Sequence, residues 1–126
     1  GQLLMEGNDV LIIGVGIMAL VASQAAVLLA ADNVSAAVYD PIWLKPAPIE
    51  EIRSLAEACG RVVIVEDGSV TGGFGSLISS HLQGESVLEI GIPDEFQPHA
   101  SREELMRRMG LDPRALAERI GDFVGS

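Results

Sequence analysis

The sequence predicts an α/β fold, three layers deep, with helices on both faces of a mainly parallel sheet. Three observations predict it. Short β-branched apolar runs alternate with segments whose apolar residues recur at helical spacing, the pattern of βαβ units. Apolar residues make up 48% of the chain but aromatics only 4%. Val, Ile, Leu and Ala must therefore fill the core, as in parallel strands covered on both faces. Glycine clusters, Gly14-Val15-Gly16 and Gly72-Gly73-Phe74-Gly75, follow two of the apolar runs, where a tight turn must feed a helix.

Taken in order, Leu3-Leu4-Met5 is a short candidate strand before the turn Glu6-Gly7-Asn8-Asp9. Val10 to Gly14 is a buried strand. Ile17 to Ala31 is a helix, Ala-rich, with Ile17, Leu20, Val21, Leu28 and Leu29 at helical spacing and Asp32-Asn33 as its stop. Ser35 to Tyr39 is the next strand, closed by Asp40-Pro41. Pro46 and Pro48 open a helix from Ile49 to Cys59, with Ile49, Ile52, Leu55 and Ala56 on one face and Gly60 ending it. Arg61 to Val65 is a strand; the glycine-rich turn and a helix to Leu82 follow. Ser86 to Ile90 is a further strand. Beyond Gly91 lies a polar, proline-bracketed loop. Ser101-Arg102-Glu103-Glu104 forms a capping box for a helix ending near Gly110. Asp112-Pro113 caps the last helix, whose buried stripe is Leu116, Ile120, Phe123 and Val124.

At 126 residues the chain is expected to form one domain, with enough length for a real core. Its mean hydropathy of +0.36 is high for a domain with 21% charged residues, which suggests that part of its aliphatic surface packs against a neighbour. Eighteen acidic and 8 basic residues leave a net charge of −10. Such a surface is repelled by phosphate backbones and anionic lipid, so neither nucleic acid nor a membrane is expected as a partner. The lone Cys59 has no internal disulfide partner; a cytoplasmic location and a core role fit it best. Asn33-Val34-Ser35 matches a short glycosylation pattern that recurs by chance. The first residues lack a basic leader and a long apolar region. The apolar stretch from Val10 to Ala31 has the length of a membrane span, but Gly14, Gly16, Ser23 and Gln24 fit strand, turn and helix better.

Two places draw attention as sites. Gly14-Val15-Gly16-Ile17-Met18-Ala19 matches G-x-G-x-x-A between a strand and a helix, and Asp40 ends the second strand where a dinucleotide fold places its ribose-binding acid. The alternative is a plain packing turn, and Pro41 stiffens the chain off the usual path. The second place is Glu66-Asp67 with Gly72, Gly73, Phe74 and Gly75, at the carboxyl end of a strand. The glycines either let a helix press onto the sheet, with Phe74 inward, or display Phe74 as the anchor of a contact with another domain. His81 is expected to be a surface or boundary residue. His99, in the loop, joins the candidate contact residues, with packing at the start of the next helix as its other reading. No histidine lies at metal-ligand spacing, no nucleophile elbow is present, and no glycine run ends in Lys-Ser or Lys-Thr. No catalytic, cofactor-binding or metal-binding residue is therefore assigned.

The order of several short blocks resembles the C-terminal domain of the transketolase superfamily, and within it the 1-deoxy-D-xylulose-5-phosphate synthase family. The carrying residues are Glu6-Gly7-Asn8-Asp9-Val10 with Gly14-Val15-Gly16-Ile17-Met18, Leu44-Lys45-Pro46, and Val65-Glu66-Asp67-Gly68 with Gly72 to Ser76. Gly91-Ile92-Pro93-Asp94-Glu95-Phe96, His99-Ala100-Ser101, Glu104-Leu105 and Gly110-Leu111-Asp112 single out the synthase. Asp40-Pro41-Ile42-Trp43 departs from the pattern, which more often has an Arg-Phe type pair before the Lys-Pro. The resemblance implies a five-stranded sheet whose first strand, Leu3-Leu4-Met5, runs antiparallel to the rest. It implies a non-catalytic fragment or subunit of an enzyme that condenses pyruvate with glyceraldehyde 3-phosphate for isoprenoid synthesis. Thiamine diphosphate and magnesium serve that enzyme but bind between its other two domains, so none is expected here. The implied partners are the enzyme's other domains and a second protomer of a homodimer. The rival function is a free-standing nucleotide-binding or regulatory module using Gly14, Gly16 and Asp40.

Overall fold

A computed structural model describes residues 1–43, 46–67, 73–92 and 112–125. The described elements are β1 (Gln2–Met5), β2 (Val10–Gly14), α1 (Ile17–Ala31), β3 (Ala36–Asp40), α2 (Ile49–Cys59), β4 (Arg61–Asp67), α3 (Phe74–Ser80), β5 (Ser86–Ile92) and α4 (Pro113–Gly125). One five-stranded sheet runs in the order β1-β3-β2-β4-β5. β1 pairs antiparallel with β3, Leu3 facing Tyr39, while the other pairings are parallel. The antiparallel first strand implied by the family resemblance is thus present.

β2 sits at the centre, and all five of its residues are buried. Two cores flank the sheet. On one face Val10, Ile12, Val38 and Val63 meet Val21, Ala22, Ala25 and Leu29 of α1 with Leu116 and Ile120 of α4. On the other, Leu11, Ile13, Val62 and Ile64 meet Ile52 and Ala56 of α2 with Phe74 and Ile78 of α3. Alternate residues of each strand feed opposite cores, which is why the strands read as unbroken apolar runs.

Local chemistry sets the ends. Gly60 closes α2 in the left-handed region, at φ 78°, and its N–H reaches the Ala56 carbonyl at 2.7 Å. Asp112 opens α4: its carboxylate accepts the Ala115 N–H at 2.8 Å. Leu116 and Ile120 are fully buried as expected, with Phe123 and Val124 packed partly buried beside them. β4 continues two residues past Val65, β5 two past Ile90, and α3 stops at Ser80 so that His81 caps it, exposed. The capping box at Ser101 and the helix end at Gly110 lie outside the described residues.

The larger departure concerns α1. Helical spacing of its bulky residues suggested one apolar stripe, but Ala22, Ala25 and Ala26 face the sheet with Met18, Val21 and Leu29. Ile17, Leu20, Val27 and Leu28 point outward, exposed. Small residues let the helix lie close to the strands, and four of its large ones are left on the far side. Among the described residues, no helix is long and apolar enough to cross a membrane.

Candidate functional site at the carboxyl end of the sheet

β2, β3 and β4 are parallel, so Gly14, Asp40 and Asp67 end at the same edge. From β2 the chain passes to β3 on one side and then crosses to β4 on the other. Open α/β sheets place ligands at such a switch point, outside the carboxyl ends of the strands. Both places singled out in the sequence meet here, and each is filled by the chain's own carboxylates.

At the first turn, Gly14 has no room for a side chain: a Cβ would lie 2.9 Å from the Met18 backbone. Gly16 has φ 60°, a conformation that L side chains rarely adopt. Gly14 thus serves close packing of α1 on β2, and Gly16 the turn that leads into the helix. Asp40 does not stand free to bind a ribose. One carboxylate oxygen accepts the Ile42 N–H at 2.8 Å and the other the Gly16 N–H at 3.4 Å.

At the second turn Glu66 reaches across to the start of α3. Its Oε1 accepts the Phe74 N–H at 2.8 Å and its Oε2 the Gly75 N–H at 3.1 Å. A carboxylate on the free amides of a first helical turn is favourable both as hydrogen bonding and against the helix dipole. Gly75 leaves room for this approach: a Cβ there would meet Glu66 Oε2 at 2.7 Å and Glu89 Oε1 at 2.8 Å, and both carboxylates would have to shift. Glu89 Oε2 in turn accepts the Ser79 hydroxyl at 3.1 Å. Asp67 is buried at the end of β4, and Gly73 is the exposed residue before α3, with φ 80°. Gly72 and His99 lie outside the described residues.

Phe74 corrects an expectation. Its side chain is only 4% exposed and belongs to the core with Ile64 and Ile78, so the inward reading holds and the ring is no outward anchor. Glu66 holds the start of α3 beside β4, and Phe74 is the first residue of that helix. Glu89 and Ser79 were not singled out from sequence. The available signal was a lone charge in the apolar run Ser86 to Ile90, which the register places beside Ile64 on the α3 face. Also missed was the turn after Asp40, which exposes the chain's single tryptophan, Trp43.

The buried Cys59 thiol contacts the Gly7 carbonyl at 3.6 Å; burial, with Asp9 nearby, pushes its pKa up. It suits a core residue and not a thiolate nucleophile. Among the described residues, no group of three or more His, Cys, Asp or Glu is arranged to hold a metal ion. The described residues of the edge do not fit a magnesium-diphosphate group either. The amides that would cradle phosphate oxygens already hold Asp40 and Glu66, whose charge would repel it.

A family model described as the C-terminal domain of transketolase matches residues 1–116. The chain belongs to the transketolase C-terminal domain family. Its relatives include 1-deoxy-D-xylulose-5-phosphate synthase of Trichormus variabilis, 41% identical over 124 residues that are 95% of this chain and 20% of the relative. The enzyme of the same name from Chlorobium luteolum is 35% identical over 127 residues, 98% of this chain and 20% of that one. In these relatives the match is to the C-terminal part, and the chain spans about a fifth of their length. A solved structure described as a split-gene transketolase in an inactive β4 tetramer superposes with a TM-score of 0.85 at 32% identity, over 98% of this chain and 42% of that one. A transketolase mutant from Pichia stipitis, at 18% identity and TM-score 0.64, covers 98% of this chain and 18% of its own, and shares the fold.

Proposed function

We propose that this transketolase C-terminal domain is the non-catalytic C-terminal domain of a 1-deoxy-D-xylulose-5-phosphate synthase. The observation that carries the reading is identity of 35–41% along nearly the whole chain to enzymes of that name. The complete enzyme joins pyruvate to glyceraldehyde 3-phosphate with thiamine diphosphate and magnesium held in its other domains, in the cytoplasm, as a homodimer. This domain supports the packing of those domains and the dimer. The carboxylate-filled turns at the sheet edge agree with a domain that holds neighbours rather than a cofactor, and they weigh against the nucleotide-binding alternative at Gly14, Gly16 and Asp40.

The test compares the 126-residue chain with a polypeptide extended before Gly1 by its native coding sequence. The extended polypeptide is expected to form deoxyxylulose phosphate with added cofactor and magnesium, and the short chain to form none. Cofactor-dependent decarboxylation of pyruvate by the short chain, or no product from the extended one, overturns the reading.

A further inference from the structure

We propose that Trp43, Ile42, Ile17 and Leu20 form the surface on which the preceding domain of the same polypeptide docks. The inference rests on the functional reading above and names where that contact lies. Trp43 is 68% exposed, Leu20 57%, Ile42 50% and Ile17 42%. Asp40 ties the two segments together, one carboxylate oxygen on the amide just before α1 and the other on Ile42. The turn is strained: Ile42, a β-branched residue, has φ 65°, and the Trp43 N–H closes onto the Pro41 carbonyl at 2.6 Å. Strain held in place by a specific carboxylate, with two large apolar side chains turned to solvent as the result, marks a surface built to meet something. None of the four side chains is charged, on a chain of net charge −10. A tryptophan framed by aliphatic residues is a frequent interface anchor.

Gly1 lies at the edge of the sheet that carries this turn, its amine 3.7 Å from Glu51 of α2. Gln2 pairs with Asp40 across β1 and β3, and Gly1 lies against the Tyr39 ring and the Asp40 carbonyl. A polypeptide continuing before Gly1 leaves the fold beside this turn. The relatives carry about four fifths of their length outside the matched C-terminal part.

Hydroxyl-radical footprinting read by mass spectrometry tests this on the short chain and the extended polypeptide side by side. Trp43 is expected to be oxidised about tenfold more slowly in the extended polypeptide, as a desolvated anchor should be, with Leu20 protected alongside. Equal oxidation in both overturns the proposal. Protection in the short chain that grows with its concentration also overturns it, since a second copy is then the occupant. Trp43→Ser in the extended polypeptide is expected to restore Leu20 oxidation while leaving the short chain's melting temperature unchanged; continued Leu20 protection counts against the surface. Synthase activity on the same sample separates the two readings. An active sample with exposed Trp43 loses the docking surface alone. An inactive one with Trp43 protected keeps the surface and loses the functional reading.

Discussion

The Glu66 carboxylate holds Gly75 by contact as well as by hydrogen bond. Its Oε2 accepts the Gly75 N–H at 3.1 Å and lies 2.7 Å from where a Cβ on that residue would sit. Glu89 closes the other side at 2.8 Å. The glycine is therefore part of the cap: a side chain there would have to push aside both carboxylates that meet at the first turn of α3.

Gly75→Ala is expected to destabilise the chain by about 1–3 kcal/mol, the usual range for overpacking a tight site. Chemical denaturation measures it. No measurable loss would show that Glu66 and Glu89 move aside freely.

Glu66→Gln keeps the shape but removes the charge and one of the two acceptors. A loss of about 1 kcal/mol is expected, the size of a helix cap. Amide exchange at Phe74 and Gly75 should quicken in the same variant. Unchanged exchange at both amides would mean that the carboxylate contributes nothing to the helix start.

Phe74→Ala is expected to cost about 3–5 kcal/mol in the 126-residue chain, because the ring fills the core between β4 and α3. The melting curve of the isolated chain decides it, and a change below about 1 kcal/mol would contradict a core role.

How much was legible follows from where the causes lie. α1 from Ile17 to Ala31 and α2 from Ile49 to Cys59 were readable to the residue, because their stops, Asp32-Asn33 and Gly60, are local chemistry. The direction of α1 was not. Its apolar residues surround the helix, so spacing could not say that the alanines face the sheet and Leu20 faces out. Glu66-Asp67 and the glycines from Gly72 to Gly75 were noticed as one unusual stretch, but the bond between Glu66 and Gly75 spans a turn whose path no local rule dictates. Glu89 joined them only through the register of β4 with β5. Trp43 stood out only as a departure from the family pattern; its exposure depends on the strained Ile42 and on Asp40 reaching the Gly16 amide.

The last prediction uses the chain's single tyrosine. Tyr39 is buried, and its hydroxyl donates to Glu51 Oε2 at 2.8 Å. Burial first, then the hydrogen bond and charge of Glu51, and last the charge of Asp40, raise its pKa well above the usual value near 10. The sign follows from linkage. Below pH 10 the hydroxyl is protonated folded and unfolded alike, and its contribution to stability is complete. Above pH 10 only the unfolded chain releases the proton readily, so stability falls as pH rises toward the folded value. Tyrosinate absorbance near 295 nm reports this one residue. It is expected to appear together with unfolding, well above pH 10, and not as a separate earlier step. Tyr39→Phe should lower stability at neutral pH and flatten its fall between pH 10 and 12. A tyrosinate signal titrating near pH 10 in a chain that is still folded would show that the Tyr39 hydroxyl is open to solvent and unprotected by Glu51.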